Sequence, residues 1–280
     1  MARFTLSAFG DEIADDLETQ LQTLNELRVT HLELRAAWGT NVLRLSDEQV
    51  AQVKALCHEA GVAISCLGSP VGKSPILDPL ENELANLQRL MAIGAELGTR
   101  NVRIFSFYPP DISSNDNYDS YLPEAAARLG HLTALAAREG FTLLLENEKD
   151  IVGDTPERCL ALLRQVDSPH LRFIWDPANF VQVGVANQVN DYWDTLSPYI
   201  GYIHIKDALL EGGQVKAAGE GDGQVKELLA HLRDSGYEGV LALEPHLTIA
   251  GHSGGFSGIE GMTYAVAALR GLMQAVGVSD

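Results

Sequence analysis

Short β-rich runs alternate with longer amphipathic segments along almost the whole chain, and this alternation limits the fold more than any other feature. The strand-like runs are 4–9, 31–34, 63–67, 102–105, 142–145, 171–175, 202–205 and 240–243. Between them lie helical patterns such as DDLETQLQTLNELRV, LSDEQVAQVKALCHEAG, PLENELANLQRLMAIGAELG and GQVKELLAHLRDSG. Their apolar residues recur every three or four positions, the mark of a helix with one buried stripe. Ser46 before DEQ and Asp154-Thr155-Pro156 are start signals, and glycines 61, 98, 140 and 236 follow helix ends. Runs such as LLLE and RFIW are apolar without alternation, as strands of a parallel sheet covered on both faces are.

Strand–helix alternation implies right-handed crossovers and a parallel sheet, and eight such units close a barrel of ~250 residues. The chain has 280. An open Rossmann-type sheet would need GxGxxG in its first βα turn, whereas FGDEIADD offers no phosphate cradle. The expected fold is therefore α/β, a single (β/α)8 TIM barrel with residues 1–280 as one domain. The longest irregular stretches, 68–78, 108–118, 178–186 and 208–223, all follow strands and so belong to the catalytic face of such a barrel.

Composition narrows the function classes. The net charge of −18 repels phosphodiester backbones, so no nucleic-acid partner is expected. No stretch approaches the ~20 apolar residues of a membrane span. MARFTLSAFGDE has none of the three parts of a signal peptide, which makes the expected location cytoplasmic. Cys57, Cys66 and Cys159 stand far apart without CxxC spacing and read as buried, inert thiols.

The last four strands each deliver an ionisable side chain at or near the C-terminal end: Glu146 after LLL, Asp176 after FIW, His204 within YIHIKD, and Glu244 after LAL. On consecutive barrel strands these converge on one mouth. Three carboxylates crowded there would repel one another, and a divalent cation removes the repulsion. Oxygen-rich coordination with one nitrogen suits Mn²⁺ or Mg²⁺ best, with Co²⁺ or Zn²⁺ as further candidates.

The phrases LLLENEKDIVGDTPE, FIWDPANF, YIHIKD, AAGEGDG and LALEPH resemble the sugar phosphate isomerase/epimerase family of the xylose-isomerase-like barrel superfamily. FGDEIADDLE and ELRAAWGTNVLRLSDEQ share the same character, so the likeness runs through most of the chain. It implies that Glu146, Asp176, His204 and Glu244 bind one divalent metal. Two positions depart from the family pattern: Asn179 replaces the histidine of Asp-x-x-His, and Tyr202 replaces the first histidine of His-x-His. With them goes the histidine set of the trinuclear apurinic-endonuclease branch.

Metal chelation of a carbonyl and its neighbouring hydroxyl acidifies the α C–H. Glu146 and Glu244, on separated strands, are then placed as paired acid and base around a cis-enediolate, giving isomerisation or epimerisation of a sugar, sugar acid or keto-polyol. Glu148, Lys206 and His246 each lie two residues beyond a ligand and point the same way on an extended strand. With Arg35 and Asn179 they are candidates for substrate binding; Lys73, in GSPVGKS, which is no P-loop, reads as a surface lysine, with an acidic substrate group as its alternative partner. Trp38, Phe107, Tyr108 and Trp175 are candidates for apolar walls. In GEGDG, either the glycine N–H groups face an anion or Asp222 caps the following helix. Competing functions are a keto-polyol or keto-acid dehydratase, an apurinic-endonuclease-like phosphodiesterase and a non-catalytic sugar-binding barrel. Homo-oligomers occur among such barrels.

Overall fold

Eight parallel strands close into a barrel in which each strand pairs with the next in sequence and the last with the first. A computed structural model provides this view and describes residues 3–112, 115–247 and 257–280. The strands are β1 (Thr5–Phe9), β2 (His31–Leu34), β3 (Ala63–Leu67), β4 (Asn101–Ile104), β5 (Thr142–Glu146), β6 (Leu171–Trp175), β7 (Ile200–Ile205) and β8 (Val240–Leu243). Four coincide with the runs read from the sequence, three differ by one or two residues at one end, and β4 is shifted by one residue at both.

The covering helices are α1 (Leu17–Glu26), α2 (Asp47–Ala60), α3 (Leu80–Leu97), α4 (Leu122–Arg138), α5 (Pro156–Val166), α6 (Pro177–Gln182), α7 (Gln188–Leu196), α8 (Val225–Asp234) and α9 (Gly258–Ala275). Ser46 and Gln49 form a complete capping box on α2, and Thr155 caps α5 ahead of Pro156. Gly61 and Gly98 end α2 and α3 in the left-handed conformation that favours glycine.

Two local readings are corrected. The stretch 178–186, read as irregular, begins with a short helix, α6, which Asp176 caps and Pro177 opens. Asp222 does not cap α8, because its carboxylate accepts the Leu210 N–H. The N–H groups of Gly219, Gly221 and Gly223 do meet an anion, but it is the chain's own Asp207. That carboxylate folds the glycine loop back beneath the end of β7.

Period-two alternation sorts the strand residues into two environments. Leu143, Leu145, Phe173, Trp175, Ile203, Ile205, Leu241 and Leu243 point outward into the core shared with the helices. Leu144, Ile174, Tyr202 and Ala242 point inward and, with Cys66, form an apolar plug inside the barrel. Beside it, the Tyr202 hydroxyl is bonded to Ser65 Oγ at 2.8 Å and Ser65 to Ser7 at 2.7 Å, which satisfies three hydroxyls inside the barrel. All three cysteines are buried and free, and burial pushes the thiols of Cys66 and Cys159 well up. None of the described helices is long and apolar enough to cross a membrane.

Candidate metal centre

Two residues beyond each of the four plug residues on β5 to β8 comes one of the strand-end residues: Glu146 after Leu144, Asp176 after Ile174, His204 after Tyr202, Glu244 after Ala242. The same alternation that buries the apolar layer therefore stacks an ionisable layer on it. Glu146, Asp176, His204 and Glu244 are all buried, and each offers a ligand atom within 4.8 Å of the others. His204 Nδ1 faces this cluster, 2.9 Å from Glu146 Oε1, 3.8 Å from Glu244 Oε2 and 4.0 Å from Asp176 Oδ2.

The ends of β5 and β6 are joined by Asn147. Its amide accepts the Asp176 N–H and donates to the Asp176 carbonyl, both at 2.9 Å. Asp176 Oδ1 then accepts the Asn179 N–H at 3.0 Å as the cap of α6. Asn179 Nδ2 donates to the Asn147 carbonyl at 2.8 Å and reaches Glu146 Oε1 at 3.4 Å. Asn179 thus holds two of the strand-end carboxylates in place.

Cations enter the cluster from three sides. Lys206 Nζ lies 2.9 Å from Asp176 Oδ2 and 3.2 Å from Glu244 Oε2. Arg103, buried on β4, places Nη1 3.3 Å from Glu146 Oε2 and 3.9 Å from Glu244 Oε1. Arg35 spans Asp11, Glu12 and Glu244 at 2.6, 2.9 and 2.6 Å. His246 bridges Glu12 at 2.8 Å and Glu244 at 3.4 Å. Glu148 stands apart at the rim and pairs with Lys73 at 3.0 Å.

These neighbours set the protonation states. Burial alone would raise Glu146, but the charges of His204 and Arg103 outweigh it and hold the carboxyl at about 2. Burial opposes ionisation of Glu244 too, yet Lys206, His246 and Arg35 hold it well below the usual carboxylate range. Asp176 goes the other way, to about 6, because burial and its acidic neighbours outweigh Lys206. Burial would lower His204, but Glu146 and Glu33 raise it to about 10, and Glu244 with Glu12 does the same for His246.

The donor set fits a divalent cation. Glu146 Oε2 and Asp176 Oδ2 are buried without a well-directed hydrogen bond from any described residue; Arg103 meets the first, and Lys206 and, further off, His204 meet the second as ion pairs. Buried carboxylate oxygens left in that state are costly, and an ion offers them ligation. Three carboxylates with one imidazole suit an oxygen-preferring ion.

Sequence reading did not find Asp11, Glu12, Glu33, Arg103 or Asn147. A signal existed for two of them, since Glu33 and Arg103 are charged residues flanked on both sides by apolar ones inside barrel strands. Of the candidate aromatic walls, Trp175 points outward, donates to Gln188 at 2.7 Å and packs on Phe180 and Trp193. The rings set against the charged layer are Phe9, under Arg35 and Arg103, and Phe105, under Arg103 and Lys73.

A closed parallel barrel with a buried, carboxylate-rich cluster at the carboxyl ends of its strands defines the class. More narrowly, residues 22–262 match the family model described as xylose isomerase-like TIM barrel, and the chain belongs to that family. A curated relative, the 2-epi-5-epi-valiolone 7-phosphate 2-epimerase of an Actinoplanes species, is 26% identical over 209 residues, 70% of each chain. Among solved structures, D-psicose 3-epimerase of Clostridium cellulolyticum with D-tagatose superposes with a TM-score of 0.76 at 18% identity, covering 98% of this chain and 99% of that one. A xylose isomerase-like barrel protein of Mycobacterium smegmatis in complex with magnesium gives 0.69 at 19% identity, over 98% of each chain. At such identities both show likeness of fold.

Proposed function

We propose that the protein is a divalent-metal-dependent epimerase or isomerase acting on a sugar, sugar acid or related keto-polyol. The observation that carries this reading is the pair of buried, ionised glutamates, Glu146 and Glu244, at the ends of β5 and β8, with Asp176 and His204 completing one oxygen-rich cluster. The named epimerases among the chain's relatives and structural neighbours support it.

Glu146, Asp176, His204 and Glu244 would hold the ion, with Mn²⁺ or Mg²⁺ favoured by the donor set. When bound, it supplies Lewis acidity toward a carbonyl and its neighbouring hydroxyl. The chain's own groups do the proton work. Glu146 and Glu244 are both ionised near neutral pH, so either can take a proton from the carbon between them. In isomerisation that group returns the proton to the adjacent carbon. In epimerisation the other, protonated from solvent, delivers one to the opposite face, and exchange of the first group's proton with solvent resets the pair. Lys206, whose ammonium pairs with Asp176 and Glu244, would stabilise negative charge growing on the oxygens of a substrate bound beside them. Arg35 and Arg103 keep the glutamates ionised, and Asn179 with Asn147 fixes the geometry of β5 and β6. Arg35 and His246, the most exposed of these groups, face the entrance, with Glu148 at its rim.

The test is incubation of the Mn²⁺-loaded protein with a panel of ketoses, aldoses and keto-polyols in deuterated water, followed by NMR. Carbon-bound deuterium in an epimer or isomer without loss of water is the expected result. Net loss of water would instead identify a dehydratase. Glu146→Gln and Glu244→Gln should each cost about 10²–10⁴-fold in turnover; full turnover in either overturns the paired acid–base assignment.

A further inference from the structure

Glu33 is a carboxylate with no exposed surface, placed in the middle of β2. An ionised side chain there is costly unless it is paired. Its close polar neighbour lies across the barrel interior: Glu33 Oε2 is 3.3 Å from His204 Nε2 on β7, while Oε1 has no hydrogen-bond partner among the described residues. β2 and β7 are not neighbours in the barrel, since β1 and β8 stand between them. The contact therefore spans the barrel and is made by a side chain aimed inward.

The two ring nitrogens of His204 face different groups. Nδ1 faces Glu146, Asp176 and Glu244, whereas Nε2 faces Glu33 alone. Phe9 and Tyr202 meet the ring edge-on, with centroids at 5.2 and 5.8 Å and interplanar angles of 76° and 86°. Those contacts restrict the tilt of the ring but leave open which nitrogen carries the proton.

We propose that Glu33 is the positioning residue of the cluster: it accepts the His204 Nε2–H and so reserves Nδ1, with its lone pair, for a cation. The inference rests on the metal-binding reading of Glu146, Asp176, His204 and Glu244. An imidazole ligand needs its second nitrogen held as a donor, and a carboxylate partner both orients the ring and makes the ligating nitrogen more basic. Loss of such a partner typically weakens metal binding by about 10–100-fold.

The experiment compares wild type with Glu33→Gln, Glu33→Ala and His204→Asn, using two readouts. Mn²⁺ affinity is measured by calorimetry on protein whose folding is checked by circular dichroism. The ring N–H of His204 is followed by NMR on ¹⁵N-histidine-labelled protein, metal-free and with Mg²⁺. Expected are a slowly exchanging, downfield Nε2–H in both wild-type samples, its shift or loss in Glu33→Gln, and Mn²⁺ affinity about 10–100-fold weaker in that variant. Glu33→Gln preserves volume, so a merely space-filling role leaves both readouts at wild-type values. That outcome overturns the inference, as does a proton on Nδ1 in the Mg²⁺-loaded protein. Wild-type protein that binds neither ion overturns the metal reading, whereas metal lost in His204→Asn but fully kept in Glu33→Gln overturns the Glu33 assignment alone.

Discussion

Adding a divalent cation to the metal-free protein should expel protons, and the number follows from the cluster's geometry. His204 Nδ1 faces Glu146 at 2.9 Å, and the carboxylates of Glu146 and Glu33 hold the ring near 10. At pH 7 the imidazole is therefore protonated almost completely, and ligation requires Nδ1 to give up its proton. Asp176, at about 6, is about one-tenth protonated at pH 7 and about half protonated at pH 6. Glu146 and Glu244 are already ionised, and Lys206, held well above its ordinary value by Asp176 and Glu244, keeps its proton. Roughly one proton should leave per ion at pH 7, rising to about one and a half at pH 6. The sign is fixed: the free state carries the protons and the bound state does not. Affinity should therefore climb about tenfold per pH unit from pH 7 to 8 and fall more steeply toward pH 6. Calorimetry of Mn²⁺ binding in PIPES, HEPES and Tris at one pH gives the proton count from the dependence of the measured enthalpy on buffer ionisation enthalpy. A count near zero, or an affinity independent of pH between 6 and 8, would refute His204 as a ligand.

Asn147→Ala removes the amide that joins β5 to β6 at Asp176; a loss of about 1–3 kcal/mol is expected, read as a melting temperature lower by several degrees, together with weaker Mn²⁺ binding. An unchanged melting temperature would show that the strand ends hold without it. Gly221→Ala places a Cβ 2.4 Å from Asp207 Oδ1 and 2.5 Å from the Ala208 carbonyl, so the loop folded on Asp207 must open. A cost of about 1–3 kcal/mol in denaturant unfolding is expected, and wild-type stability would mean that the loop has slack. Tyr202→Phe deletes one hydroxyl beside the plug while keeping the ring against His204. It should cost about 1 kcal/mol in thermal unfolding and leave Mn²⁺ affinity unchanged; lost metal binding would place Tyr202 in the site itself.

Much of the molecule is legible in the amino-acid sequence, for a local reason. Strand and helix periods, caps and turn residues act within a few positions of themselves, so eight βα units and their order could be read directly. The same holds for the cluster. A side chain that ends a buried strand, two residues beyond an inward apolar one, stays on the inner face whatever the rest of the barrel does. That is how Glu146, Asp176, His204 and Glu244 could be read one strand at a time, and why Lys206 and His246, two residues further, also reach the charged layer. Glu148 stands in the same relation to Glu146, yet it turns to Lys73 at the rim.

What the tertiary structure alone decided is which inward charges meet across the barrel. Closure and stagger of eight strands place Arg103 of β4 between Glu146 and Glu244, bring Arg35 from the end of β2 onto Glu244, and set Glu33 of β2 against the far nitrogen of His204. In sequence these partners are separated by 43 to 209 positions, the Glu33–His204 pair by 171. No local period links them. The sequence by itself determined a barrel with four ionisable side chains at the ends of its last four strands; only the closed ring decided which charges oppose them, and so which protonation states they hold.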